Sequence, residues 1–340
     1  MRKGARNGYW VTGITLLLMF VLSIAVGSVN ISPLELVDTL WQRVAGGSTS
    51  SKVYETILFD LRIPRSILMM LTGAALAGSG AAYQGLFRNP LADPYLIGAA
   101  SGAGLGAVIA MSIQWPYSLA GLLVIPMAAF IGALSTVVVV YWLAHINRVV
   151  STTNLILAGV AVSSFATALT SFLMIQAVDE VRRAIVWLLG GATMSGWLPV
   201  IAVLPYVLLG LAGMLVHGHA LNVMQFGEEQ AQQMGVAVNR VRFFVVASAT
   251  LATAAAVSFS GIIGFVGLIV PHIIRLVWVN DYRHLIPLSL IAGGALLLFA
   301  DILARVVLAP QEVPVGILTA LAGGPFFLWL LRRNRVNGGS

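Results

Sequence analysis

Few side chains in this sequence have the chemistry for catalysis, and their spacing argues against it. The five histidines are His145, His217, His219, His272 and His284, and most stand at the ends of apolar stretches. His217 and His219 are the one close pair. Two residues apart on a helix they fall on different faces, which suits an interfacial position better than a shared metal. No His-Glu-x-x-His occurs, and without cysteine there is neither a disulfide framework nor a thiolate metal site. A protein that hydrolyses ATP through a glycine-rich phosphate loop needs a lysine in that loop. The lysines are Lys3 and Lys52, and neither sits in Gly-x-x-x-x-Gly-Lys-Ser/Thr. No cofactor is expected on this chain; if ATP is involved, ATP and magnesium belong to another subunit. An intramembrane enzyme lacks a catalytic constellation.

Ionisable groups inside the apolar stretches are almost confined to Asp301 and Arg305. Their i, i+4 spacing puts them on one helix face. A neutralised pair is favoured over the proton relay that a secondary transporter would need. Ser163, Ser164, Thr167, Thr170, Ser171 and Gln176 share one stretch. Neutral hydroxyls suit a wide path that must not grip its cargo, although hydroxyls also bond back to helix carbonyls.

The elements that position these residues are transmembrane helices. Of 340 residues 59% are hydrophobic and 9% charged, against about 25% charged in a soluble domain. A mean hydropathy of +0.94 requires lipid to cover part of the surface. Spans of about 20 residues are read at Trp10–Val29, Ser66–Gln84, Tyr95–Ile113, Tyr117–Ala144, Ser151–Ile175, Leu198–Val216, Val241–Phe259, Ile262–Val279, Leu285–Leu308 and Val315–Leu331. Glycine and proline make the third and eighth the weakest. The fold class is therefore all-α: one polytopic domain over residues 1–340 with about ten transmembrane helices. The basic N-terminus leads into an uncleaved first span. With an even number of spans, twelve of the 19 Lys and Arg residues lie on the side of the termini and seven on the other. The positive-inside tendency then makes the termini cytoplasmic. The seven exceptions are Arg43, Lys52, Arg62, Arg65, Arg182, Arg183 and Arg305.

Two polar segments fold outside the bilayer. The outer one, about residues 30–65, carries a helix capped by Ser32 with Pro33 in its first turn. The cytoplasmic one, about residues 218–240, holds a short polar helix over Gly227–Gly235, with Gly235 as its C-terminal cap. So short a polar helix needs a partner surface. A candidate inverted repeat pairs Gly85…Pro94 with Gly261…Pro271, each following a run of small residues.

Several stretches are more specific. Leu61-Arg62-Ile63-Pro64-Arg65 precedes Gly73–Gly80 and then Gln84-Gly85-Leu86-Phe87-Arg88-Asn89-Pro90-Leu91-Ala92-Asp93-Pro94. Later come Ser260–His272, Ala300-Asp301-Ile302-Leu303-Ala304-Arg305, Pro314–Ala320 and Gly324-Pro325-Phe326-Phe327. In this order, from about Leu61 to Arg333, they resemble the FecCD-type permeases of bacterial importers for iron–siderophores, haem and cobalamin. The resemblance implies an inner-membrane homodimer with its path at the dimer interface, lined mainly by the fifth and tenth spans. It implies two cytoplasmic ATPase subunits, an extracytoplasmic binding protein and alternating access. A ferric siderophore is the favoured cargo, with cobalamin or haem as the alternative and a secondary transporter as the reading from another class.

The resemblance also assigns residues. Gly227, Glu228, Glu229, Gln230, Ala231, Gln232, Gln233, Met234 and Gly235 resemble the coupling helix that meets the ATPase. Ser151, Thr152 and Thr153 resemble the cytoplasmic gate, and as Ser/Thr at a helix start they equally suit N-capping. Arg62, Arg65 and Arg305 match positions that dock the binding protein; local pairing with Asp60 or Asp301 is the alternative. Ser164, Thr167 and Ser171 are the candidate path hydroxyls. Val181–Gly191 faces outward and is placed near the cargo.

Overall fold

The computed structural model describes residues 3–27, 31–45, 52–113, 115–116, 118–146, 149–176 and 180–337. Arg2 and Arg148, counted in the charge asymmetry, lie outside these residues, as do Val29, Asn30 and Tyr117 at expected segment ends. Apart from a two-residue ladder, β1 (His145–Ile146) with β2 (Val149–Val150), the regular structure is helical.

Among the described residues seven helical stretches are long and apolar enough to cross a bilayer. They are α1 (Lys3–Ala25), the run from α3 (Lys52–Thr56) through a π-helical turn (Ile57–Arg62) to α4 (Ile63–Phe87), α6 (Leu119–Ala144), α7 (Thr152–Gln176), α9 (Trp197–Val216), α12 (Val238–Ser260) and α14 (Tyr282–Val306). Three shorter apolar stretches, α5 (Ala99–Met111), α13 (Val266–Val277) and the start of α15 (Val315–Asn337), bring the number to ten, as expected. Off the bundle lie α2 (Pro33–Ala45), α8 (Val181–Leu188), α10 (Gly218–Met224) and α11 (Glu228–Gln233).

Burial sorts the helices into layers. In the most apolar window of each stretch, 83% of the α3–α4 run, 72% of α12 and 61% of α14 is buried, against 17–33% in α1, α6, α7 and α9. The inner trio is rich in small residues, which let backbones approach closely. A Cβ on Gly73 would lie 2.2 Å from the Gly293 carbonyl oxygen, and one on Gly80 would lie 2.0 Å from that of Gly267. The outer helices turn Trp10, Ile14, Leu17, Ile131, Val138 and Ile201 outward. On a membrane protein that face meets lipid.

The third and eighth spans are short for a physical reason. Helices of 13 and 12 residues reach about 18–20 Å at 1.5 Å per residue, less than the roughly 30 Å hydrocarbon core. Irregular backbone at residues 88–98 and 261–265 makes up the rest, which is tolerated at that depth only inside protein. The two stretches cover each other. The Tyr95 hydroxyl lies 3.0 Å from the Ile263 carbonyl oxygen and 3.3 Å from its amide nitrogen, donating to the one and accepting from the other. Gln84 donates to the Gly267 carbonyl at 3.2 Å. These are the segments paired in the candidate repeat. Gly85 does not end its helix, however: α4 runs on to Phe87 and closes on Arg88 in the left-handed region at φ 49°.

The outer segment begins as expected. Ser32 Oγ accepts from the Glu35 amide and Glu35 Oε2 accepts from the Ser32 amide, a capping box at the start of α2.

Candidate functional sites at the two ends of the bundle

At the end where α1 starts and α4 finishes, the polar segment forms two short helices. In α11, Gly235 takes φ 85°, its amide bonds to Gln232 O, and the Val236 amide bonds to Ala231 O. This is a Schellman cap with Gly235 one place beyond the last helical turn. Residues 238–240, expected in the segment, already belong to α12.

Side chains bind this segment to the inner helices. Asn222 of α10 donates to Asp281 Oδ1 at 2.6 Å and accepts from the Tyr282 amide at 2.9 Å, joining α10 to the start of α14. Gln225 donates to the Gly85 carbonyl of α4 at 2.8 Å. Arg242 of α12 is fully buried, and its Nη2 meets Glu228 Oε1 at 2.5 Å. Asp281 is held below the usual carboxylate range, chiefly by the Arg283 hydrogen bond, with Asn222 adding to it. Glu228 and Glu229 therefore have different roles: Glu228 is an internal tie and Glu229 is exposed. The segment's outer surface presents Glu229, Gln230, Gln232 and Gln233 between two exposed apolar side chains, Phe226 (68%) and Met234 (61%). Sequence reasoning missed Asn222, Gln225, Phe226, Arg242 and Asp281. Asn222, Gln225 and Phe226 stand beside the polar helix in the sequence, whereas nothing there ties Asp281 to it.

At the other end the three flagged arginines do not form an open positive rim. Arg62 is 6% exposed and donates through Nη1 to the Ile24 and Ala25 carbonyls, at 3.0 and 2.9 Å. Arg305 is 4% exposed and donates to Ser23 O, Val26 O and Ser23 Oγ. The two satisfy carbonyls at the end of α1, which have no intrahelical partner. Arg65 places Nε and Nη2 at 3.1 and 2.9 Å from Asp301 Oδ1, and Nη1 at 2.8 Å from Glu312. Asp301 is fully buried, and its Oδ2 lies 3.1 Å from Arg305 Nε. Asp301 thus joins Arg65 to Arg305, and the expected i, i+4 pair is present. Arg62 and Arg65, three residues apart, would share a face on one helical turn, but a π-helical turn precedes Ile63, and Arg62 turns to α1 while Arg65 turns to α14. Of the three, Arg65 keeps the most exposure, 20% of its side chain.

Along α7, Ser151 Oγ accepts from the Asn154 amide at 3.1 Å, so Ser151 caps the helix. Thr153 is exposed beside it. Ser164, Thr167 and Ser171 are all exposed on the α7 face that turns away from the subunit's own core. Ser164 and Ser171 bond back to Val160 O and Thr167 O, at 2.9 and 3.0 Å. Their dipoles are therefore partly satisfied within the helix. His217 Nδ1 donates to Gly213 O at 2.7 Å, and the ring stacks on Phe244. Among the described residues no group of three or more His, Cys, Asp and Glu is placed to hold a metal.

Known proteins share this architecture. A family model described as the FecCD transport family matches residues 15–333. The chain is 47% identical over 282 residues to the cobalamin import system permease protein BtuC of Halobacterium salinarum, covering 83% of this chain and 75% of that protein. It is 38% identical over 328 residues to the hemin transport system permease protein HmuU of Yersinia pestis, covering 94% and 95%. A solved structure described as an inward-facing conformation of a metal-chelate type ABC transporter matches with a TM-score of 0.81 at 27% identity, covering 96% of this chain and 99% of that one. Ten apolar helices, a side-chain-anchored polar segment at one end and these matches agree: the chain is a multi-pass permease subunit of an ABC importer and belongs to the FecCD transport family.

Proposed function

We propose that two copies of this chain form the path of an importer for a metal chelate in a bacterial cytoplasmic membrane, with both termini inside. Two ATPase subunits bind the exposed surface of α11, and an extracytoplasmic binding protein delivers cargo at the opposite end. The observation that carries this is the anchoring of α10–α11. A rigid polar segment with Phe226 and Met234 exposed, tied to α4, α12 and α14, delivers a push from outside the bilayer to the inner helices. The chain itself carries no phosphate loop, so hydrolysis is placed on the partner. Binding of nucleotide shifts the access equilibrium only by its differential affinity for the two states.

For cargo, the relatives named for cobalamin and hemin support a metal–macrocycle ahead of the ferric siderophore expected from family frequency. Docking of the binding protein is proposed at Arg65 and Glu312, the exposed part of the arginine cluster, with Arg62 and Arg305 supporting it from beneath. In proteoliposomes holding the full complex, ATP should drive accumulation of cyanocobalamin or haemin above that of ferrichrome. Uptake that persists without the ATPase subunits would sink the reading and leave a secondary transporter.

The gate is proposed at Ser151, Thr152 and Thr153, next to the dimer axis. Cysteines at Thr153 in the two copies should crosslink several-fold more in one nucleotide state than in the other. Equal crosslinking in every state would leave Ser151 as a helix cap and no more.

A further inference from the structure

Arg182 and Arg183 are left unexplained by coupling, gating and docking. They lie at the end opposite the termini, where the positive-inside tendency disfavours them. Both are exposed on α8, and Arg183 Nη1 lies a loose 3.7 Å from Glu180 Oε2. Beside them is an open cavity of about 590 Å³ lined by the end of α5, the start of α6, α8 and the turn that follows it. Its floor includes Trp187, which is 3% exposed and whose indole Nε1–H has no acceptor in the structure. A buried donor left unpaired is costly and calls for an explanation.

The chemistry of the walls is one-sided. The charged groups lining the cavity are the guanidiniums of Arg182 and Arg183, both donors; Trp187, whose N–H lies just beneath the surface, lines it too, and the Thr193 hydroxyl spends its proton on Phe259 O. Met111, Leu122, Pro126 and Met194 supply an apolar wall. Leu122 continues outward into the exposed apolar side chains Leu119, Met127 and Ile131 of α6, the face that meets lipid. A ligand for this cavity presents anionic oxygen acceptors on an apolar body and arrives from the bilayer.

We propose that the cavity between α5, α6 and α8 binds the phosphate-bearing end of an anionic phospholipid from the outer leaflet. Arg182 and Arg183 take the phosphate, Trp187 donates to a phosphate or ester oxygen, and the acyl chains run down the outer face of α6. The lipid would then brace α8 against the α5–α6 pair. The inference rests on the proposed orientation only for which leaflet supplies the lipid.

The test is native mass spectrometry of the full-length permease released from bilayers of equal phosphatidylglycerol and phosphatidylcholine, which requires neither ATPase nor cargo. Wild type should retain phosphatidylglycerol over phosphatidylcholine by roughly tenfold, as two arginines near an anionic headgroup allow. R182Q/R183Q should abolish the preference. Trp187→Phe, which keeps the ring and removes the donor, should reduce retention several-fold, and Arg240→Gln at the opposite end should leave it unchanged. Equal retention in wild type and R182Q/R183Q would overturn the proposal. So would an equal loss in R240Q, which would show bulk charge attraction, or displacement by millimolar inorganic phosphate, which would show a free-anion site. Loss of cyanocobalamin uptake in R182Q/R183Q with phosphatidylglycerol retention intact would assign the arginines to cargo and also overturn it.

Discussion

Asp301→Ala is expected to destabilise the folded chain by about 3–5 kcal/mol, the usual cost of removing one partner from a buried ion pair. Asp301 has no exposed surface and lies against two guanidiniums, those of Arg65 and Arg305. Arg305 is itself 4% exposed and cannot reach water without leaving the end of α1. Asp301→Asn keeps the shape and still removes the charge, so it should recover little of the loss. The readout is the thermal unfolding midpoint of purified protein in detergent. An Arg65→Ala/Asp301→Ala double-mutant cycle then separates the coupling between the partners from the effect of each alone. A midpoint for Asp301→Ala equal to wild type would show that the cluster contributes nothing to the fold.

Glu228→Ala and Glu229→Ala are expected to separate cleanly, although the residues are neighbours. Glu228 accepts from Arg242, which has no exposed surface, so its removal should cost about 1.5–3 kcal/mol, the range for hydrogen bonds to charged groups. The lower end applies because the Glu228 side chain is 34% exposed and water screens the pair. Glu229 faces outward, and its loss should change stability by less than about 0.5 kcal/mol, as is usual for surface positions. In the assembled importer Glu228→Ala should therefore loosen α11 from α12 and raise the ATP hydrolysed per cargo moved several-fold. Glu229→Ala should instead weaken recovery of the ATPase subunits with the permease while leaving that ratio unchanged. Identical behaviour of the two variants would refute the division between an internal tie and a contact surface.

The spans were legible in the sequence because membrane depth imposes one constraint on every helix: a run of apolar residues of sufficient length. Val315 starts a helix as read, and α6, α7 and α9 agree with expectation to within two residues at each end that was read. The α11 cap was legible because only glycine takes φ 85° there without strain. Legibility failed where partners are distant in sequence. Arg62 was weighed against Asp60, its neighbour in the chain, yet it binds carbonyls 37 and 38 residues away. Arg242 is fully buried, although in the sequence it counts only among the charges on the side of the termini. The π-helical turn at Ile57–Arg62 inserts a local change of register that no periodicity of apolar residues announces. α8 escaped notice as a helix because its eight residues are fewer than a periodic pattern needs to stand out.

The attachment of Arg305 to the end of α1 bears on how the protein is made. Ser23 and Val26 enter the membrane early in synthesis, and the guanidinium that completes their hydrogen bonding follows 282 and 279 residues later. At translation rates of roughly 5–20 residues per second, the Ser23 and Val26 carbonyls wait on the order of tens of seconds, long after Arg62 has been made for Ile24 and Ala25. A ribosome that stalls before α14 thus releases a chain whose first helix is unfinished at its far end, whatever the quality of its own sequence.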